Sequence, residues 1–240
     1  MSTLVLRLSG PMQSWGTSSR FVYRATDPQP SKSGIIGLLA AALGRRRSDP
    51  IEDLLKLKFG VRIDQEGRVM RDFHTARTLD GSETMPLSER FYLADAVFLA
   101  AVEGPDSFII DLDNALKAPY FPLYLGRRAC IPIGQVTQGV RNKTLRNTLD
   151  TEPWVASKTF RKKAKKEIEL QVLADAEYAD DNSFMKNDLP ISFDPQWRQF
   201  QTRLVTRYWI TISNPDSNVD ENISYGINGH DPFGMLGGHE

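Results

Sequence analysis

The sequence predicts an α+β fold, a ferredoxin-like or RNA-recognition-motif-like sandwich, and three observations support this. Residues 3–8 alternate polar and apolar side chains, as expected for a half-buried strand with Leu4, Leu6 and Leu8 on one face. Residues 33–43 are almost entirely apolar and typical of a helix covered on both sides. Up to residue 117, the elements follow the order strand, helix, strand, strand, strand, helix, which is an α+β pattern.

The individual elements follow from local signals. The first helix is expected to end at Gly44, which is followed by arginines. Residues 57–63 and 68–76 are predicted to be strands joined in a hairpin through 64–67. Residues 77–91 are polar with one proline and are expected to project from the body. Residues 92–102 form an apolar strand, and a helix begins at Pro105-Asp106 and ends before Pro119.

The chain divides into three predicted parts. Residues 1–135 form the body, including the projection at about 75–92. Residues 136–212 form a smaller portion with strands at 168–173 and 206–212, which either make a sheet of their own or extend the first one. Residues 213–240 are rich in Asn, Asp and Gly and are interpreted as a loose polar tail.

Composition excludes several classes of protein. The 240 residues contain a single cysteine, so an internal disulfide is impossible and a reducing, cytoplasmic location is expected. The first twelve residues do not resemble a signal peptide, and the longest apolar run, 35–43, is too short for a membrane span. The net charge is zero, but residues 1–60 and 121–170 are basic whereas 61–120 and 171–240 are acidic. Folding can therefore produce one positive face.

The sequence has no strong signal for metal, cofactor or catalytic chemistry. Its histidines, His74, His230 and His239, and its one cysteine, Cys130, have no metal-ligand spacing. Neither a P-loop nor a serine nucleophile elbow is present. His74 is therefore interpreted first as a hydrogen-bonded structural residue rather than a general base.

Residues 119–128 are the most informative segment for binding. Tyr120 and Tyr124 offer flat rings on which unpaired bases stack, and Arg127 and Arg128 offer forked donors for phosphate oxygens. Gly126 allows the backbone to approach a ligand closely. The alternative is a surface loop whose tyrosines cover the core.

Two further basic features carry weaker signals. Lys32 and Ser33 stand at a predicted helix start, where free N–H groups favour a phosphate. A dense basic run occupies 161–166 and is preceded by Arg141 and Lys143. Such runs are usually solvated, and sequence-independent attraction to phosphate is their usual function when they have one.

Four motifs in order resemble one family. They are RLSGPMQSWG at 7–16, SGIIGLL at 33–39, RDFHT at 71–75 and YLGRRAC at 124–130. Together they are similar to the Cas-five branch of the RAMP superfamily, as found in the type I-E Cascade complex, a CRISPR surveillance particle. The resemblance extends over roughly residues 3–212.

The resemblance implies a non-catalytic subunit, without a cofactor, that grips the 5′ handle of the guide RNA (crRNA). It implies that the subunit caps the particle, with the backbone subunit and the large PAM-reading subunit as neighbours, and that it meets target DNA only through the complex. It also implies an RRM-like body whose projection is a thumb. The expected RNA-binding residues are Gln13, Trp15, Arg20, Lys32, Ser33, Arg45, Arg46, His74, Arg90, Tyr120, Tyr124, Gly126, Arg127, Arg128, Arg141 and Lys143.

Two alternatives stay open from the sequence. The first is a metal-independent endoribonuclease that cleaves the repeat, with His74 or a tyrosine as the base near a 2′-hydroxyl. The second is pure scaffolding, in which the positive segments meet acidic surfaces of partner proteins.

Overall fold

A computed structural model describes residues 1–17, 22–176 and 178–219. Within these residues the chain forms two β-sheets, with helices on both faces of the larger one. The elements in chain order are β1 (Ser2–Ser9), β2 (Met12–Gln13), β3 (Tyr23–Arg24), α1 (Lys32–Ala42), α2 (Glu52–Leu55), β4 (Lys58–Gln65), β5 (Arg68–His74), β6 (Ser88–Ala94), β7 (Val97–Gly104), α3 (Asp106–Lys117), β8 (Thr137–Arg141), α4 (Leu145–Thr151), α5 (Lys158–Lys163), β9 (Glu167–Asp175), β10 (Ser183–Ser192) and β11 (Gln199–Ser213).

The main sheet has seven antiparallel strands in the order β10-β11-β9-β4-β7-β1-β8. In β1, the predicted alternation is confirmed, because Leu4, Leu6 and Leu8 all enter the core under α1 and α3. Val5 points to the opposite face, where Leu145 and Leu149 of α4 cover it. The strand is therefore buried on both faces rather than on one.

The C-terminal strands extend the first sheet, which decides between the two alternatives left open by the sequence. β9 pairs with β4, and β11 and β10 continue the sheet outward to its edge. β10 was not predicted, because it contains Pro190, which cannot donate to a ladder and is tolerated in an edge strand. β8, at the other edge, was also missed.

One predicted strand pairing and one predicted strand are wrong. β4 and β5 do not form a hairpin: β4 is almost fully buried in the main sheet, whereas β5 is largely exposed and pairs with β6 in the second sheet. The single strand predicted at 92–102 is two strands, separated at Asp95, which has a positive φ of 59°. That break sends β6 and β7 into different sheets.

The two segments predicted to be irregular differ in how they are held. Residues 75–87, between β5 and β6, are all exposed, and Arg77 forms a bridge with Thr84. The predicted tail begins with residues that are bound to the body, because Asn214 is buried and hydrogen-bonded. Residues 220–240, which include His230 and His239, lie outside the described residues. No helix in the described ranges is long and apolar enough to cross a membrane.

Candidate nucleic-acid interface

A basic cleft opens between the end of α1, the loop at 121–131, strand β6 and the β10–β11 hairpin. It consists of two adjoining cavities of about 710 and 960 Å³, which share Ser14, Ser33 and Tyr124 in their walls. Among the described residues that line them, none is an aspartate or a glutamate. The arginines in the walls are Arg24, Arg45, Arg46, Arg47, Arg90, Arg127, Arg128 and Arg198.

The end of α1 directs its arginines to the cleft mouth. Gly44 has a positive φ of 78°, the Gly44 N–H donates to Ala41 O and the Arg45 N–H donates to Ala40 O, which is a Schellman cap. A Cβ at Gly44 would lie 2.7 Å from the ring of Tyr120, so the turn also seats that ring. The predicted helix end is therefore confirmed, and the three arginines after it leave the helix together.

Three exposed arginines at the cleft have no acidic partner among the described residues. Arg47, Arg128 and Arg198 make no hydrogen bond or ion pair with any described residue. Burial and the nearby charge of Arg47 both lower the pKa of Arg198. Arg90 adds a guanidinium Nε that is enclosed without a hydrogen-bond partner. Uncompensated positive charge in a cleft attracts an anion, and arginine forks fit phosphate oxygens.

Arg127, predicted to bind RNA, lines the cleft but also binds the protein's own backbone. Its guanidinium donates to the backbone carbonyls of Phe91 (3.2 Å) and Arg24 (2.8 Å) and lies over the ring of Tyr92 at 5.0 Å. These contacts tie β6 to the segment at 24–25. Because both terminal nitrogens of its guanidinium donate to backbone carbonyls, Arg127 shapes the wall of the cleft, whereas Arg128 has no hydrogen-bond partner among the described residues.

The close approach that Gly126 permits is to the chain itself rather than to a ligand. Gly126 has a φ of 86°, and a Cβ on it would lie 1.7 Å from the carbonyl oxygen of Ser14. Tyr124, which was predicted to stack on bases, lines both cavities. Tyr120, which is 75% exposed, lies outside their linings and packs edge-on against Phe121 at 4.8 Å.

We expect Gly126→Ala to lower the free energy of unfolding by about 2 kcal/mol more than Gly134→Ala, measured by urea denaturation. Both glycines have positive φ, so both variants include the strain of a left-handed residue. A Cβ at Gly134 meets nothing within 4 Å, so the difference isolates the contact with Ser14. Equal losses for the two variants would contradict this interpretation.

Gln13 and Trp15 are interior residues, so the prediction that they lie beside the RNA needs correction. Gln13 is 0% exposed, and its Nε2 donates to Leu8 O (3.1 Å) and Ala96 O (2.8 Å). Trp15 is 1% exposed, and its Nε1 donates to Gln13 Oε1 at 3.0 Å. A Cβ at Gly34 would meet the Trp15 ring at 2.7 Å, so this glycine serves close packing. The pair supports the floor of the cleft.

Lys32 is neutralised inside the protein. Its Nζ donates to Asp175 (2.7 Å) and its backbone N–H donates to Asp188 (2.8 Å). Arg203 also binds both carboxylates. The N-terminus of α1, predicted to seat a phosphate, therefore already holds the carboxylate of Asp188. Ser33, one residue on, lines both cavities.

The remaining predicted residues separate into paired and distant ones. Arg45 forms a double ion pair with Asp53, which raises the pKa of Arg45, whereas the exposed side chain of Arg46 lines the cleft. Outside the cleft linings lie Arg141, bound by Glu152; Lys143, bonded to Thr151; and His74, bonded to Asp72. Arg20 lies outside the described residues.

Several lining residues were missed by sequence reasoning. Asn187, Arg198 and Phe200 come from the β10–β11 hairpin, more than a hundred residues from α1 along the chain. Arg24 and Arg47 were also missed, although Arg47 follows two arginines that were predicted. No cluster of three or more metal-ligating side chains occurs in the described part of the chain.

Comparison with known proteins agrees with the motifs. A family model described as CRISPR-associated protein (Cas_Cas5) matches residues 3–206. The CRISPR system Cascade subunit CasD of Escherichia coli (strain K12) is 37% identical over 150 residues, which are 54% of this chain and 66% of that protein. The match thus spans just under two thirds of this relative's length.

Two solved structures share the fold. A chain of a "CRISPR RNA-guided surveillance complex" has a TM-score of 0.72 and 33% identity, covering 92% of this chain and 95% of that one. A "Cas protein" crystal structure has a TM-score of 0.67 and 34% identity, covering 90% and 97% respectively. Since the family model covers most of the sequence, the chain belongs to the Cas5 family of CRISPR-associated proteins.

Proposed function

We propose that this protein is a non-catalytic subunit of a Cascade-type CRISPR surveillance complex and grips the 5′ handle of its guide RNA. The observation that carries the proposal is the arginine-lined cleft without a single acidic wall residue among those described. The similarity to a Cascade subunit and to a chain of an RNA-guided complex supports the same assignment. Such a particle would act in the cytoplasm.

The cleft suits unpaired RNA better than a duplex. Splayed single-stranded bases need ring faces, which Tyr124 and Phe200 supply in the wall, and phosphate clamps, which Arg47, Arg128 and Arg198 supply. The walls come from several elements and would surround a single strand of RNA, whereas a double helix would need a wider, flatter surface. We therefore expect the handle to enter as a single strand.

The proposed role includes a thumb and two neighbours. In this proposal the body is a ferredoxin-like, RRM-like sandwich, and the projection predicted at about 75–92, of which 75–87 lie between β5 and β6, wedges between guide and target nucleotides. Its exposed apolar side chains, including Leu79, Met85 and Leu87, fit an insertion between bases. The subunit would then cap the backbone filament beside the large subunit and meet target DNA through the complex.

One observation favours the endoribonuclease alternative. The His74 Nε2 is hydrogen-bonded to Asp72, whose cross-strand partner is Arg90, so all three project from one face of the second sheet. A histidine oriented by a carboxylate is a plausible base for a 2′-hydroxyl. Incubating the pure chain with labelled repeat RNA tests this. Cleavage that His74→Ala abolishes would replace the binding proposal.

The direct test of the proposal is photocrosslinking of the handle to the assembled complex, with the crosslinked residues mapped by mass spectrometry. We expect crosslinks in the cleft at Tyr124 and Phe200, which would be detected in the tryptic peptides that contain these residues. Crosslinks confined to partner subunits would favour pure scaffolding. Intact RNA recovered from the same sample would support a non-catalytic role.

A further inference from the structure

A second basic surface lies on the other side of the main sheet. It is formed by exposed lysines in and after α5, and we name it the lysine platform: Lys158, Lys162, Lys163, Lys165 and Lys166. It sits above the small apolar cluster of Trp154, Ala156 and Leu170, with Ala164 packed against it. Because Leu170 and Leu173 point to opposite faces of β9, and Leu173 joins the core under α1, the platform and α1 are on opposite faces.

The backbone of the platform is tied to the segment after β11 by Asn214 and Ser217. Asn214 is 2% exposed, and its Nδ2 donates to the carbonyls of Arg161 (2.8 Å) and Lys165 (2.9 Å). The backbone N–H of Asn214 donates to Lys166 O at 2.6 Å, and Ser217 Oγ donates to Ala164 O at 2.6 Å. A merely solvated charge run needs no such anchor, whereas a preorganised binding surface gains affinity from it.

The positive charge of the platform is not compensated nearby. None of its lysines forms an ion pair with a described residue, and the one adjacent pair is Arg161 with Asp216. Glu167 and Glu169 follow immediately in sequence, but they alternate with Ile168 and Leu170 and therefore point to the opposite face of β9. The strand thus separates acidic side chains from the lysines.

We propose that the lysine platform binds the phosphate backbone of a double-stranded nucleic acid without reading its sequence. Lysine ammonium groups are point charges and lack the planar fork with which arginine recognises a phosphate, so they attract phosphates without selecting one geometry. None of these lysines lines the cleft cavities. A duplex carries one negative charge per about 1.7 Å of its axis, a density that suits closely spaced lysines. This surface is separate from the cleft and adds a second nucleic-acid contact to the protein.

The test uses the full chain, a short labelled DNA duplex of arbitrary sequence, and fluorescence anisotropy over a range of KCl concentrations. For Lys162→Gln/Lys163→Gln we expect about tenfold weaker binding at low salt and a log–log salt slope reduced by about 1.8, the value for two phosphate contacts. The control is Lys56→Gln/Lys117→Gln, which removes two exposed lysine charges from the side of the sheet that carries α1 and α3 and should leave the slope unchanged.

The outcomes separate this proposal from the one on the cleft. The platform variant should bind single-stranded handle RNA as tightly as the parent does. If the parent chain binds the duplex but not the handle RNA, the proposal on the cleft fails and the proposal on the platform stands. An unchanged slope in the platform variant, or an equal loss in the control, would overturn the proposal. Polyglutamate competing as strongly as the duplex at equal total charge would also overturn it and assign the surface to an acidic protein.

Discussion

Replacing Arg47, Arg128 and Arg198 together by glutamine is expected to weaken binding of single-stranded handle RNA by about 100-fold at low salt. These arginines have no acidic partner among the described residues, so their charge is available to the ligand. Each phosphate contact on a single strand contributes about 0.7 to the log–log salt slope, so the slope should fall by about 2. Filter binding at several salt concentrations measures both quantities.

The control replaces Lys56, Lys117 and Arg146 by glutamine, which removes three exposed cations outside the cleft linings. All three cleft arginines are exposed, so thermal unfolding of the triple variant should stay close to that of the parent. If the control weakens RNA binding as much as the cleft variant, general charge attraction explains the affinity. An unchanged salt slope in a folded cleft variant would remove these arginines from the binding site.

Arg62→Ala is expected to lower the free energy of unfolding by about 3–5 kcal/mol. Arg62 and Asp64 are 0% and 1% exposed and form a double ion pair of 2.7 and 2.9 Å. The Arg62 guanidinium also donates to the carbonyls of Leu149 and Pro153, so it ties α4 and the segment after it to β4. Removing it leaves a buried carboxylate without its partner.

Urea denaturation of Arg71→Ala provides the comparison. Arg71 forms an exposed pair with Glu89 at 2.8 Å, and we expect its loss to cost less than about 1 kcal/mol. Arg62→Met/Asp64→Leu should recover part of the stability lost in Arg62→Ala, because it removes both charges together. The interpretation fails if Arg62→Ala and Arg71→Ala unfold at the same urea concentration.

Local sequence patterns were sufficient to locate the two longest described helices and most of the long strands, but not to identify which strands pair. The apolar run of α1 and its terminal Gly44 predict that helix, and the alternation in β1 predicts its buried face. The period of a strand, however, says nothing about which strand it pairs with. β4 and β5 were therefore assigned to one hairpin, although burial draws β4 into the main sheet and leaves β5 in the second.

In the candidate site, too, the sequence predicted which kinds of side chain are present but not which of them are free to bind. The segment at 119–128 indicated aromatic rings and arginines for RNA, and Tyr124 and Arg128 do line the cleft. Its neighbour Arg127 has the same chemistry but binds backbone carbonyls, because β6 and the 24–25 segment pass beside it. No local pattern distinguishes the two arginines.

From the order of its residues alone, this chain is assigned to its family, its two longest described helices and most of its long strands are located, and its basic segments are identified. The folded chain decides which cations remain free. Lys32 meets Asp175 and Arg141 meets Glu152, whereas Arg47 and Arg198 lie near each other in a cleft whose described walls contain no acidic residue. Charge compensation depends on distances through space, and these exist only once strands far apart in the sequence have paired.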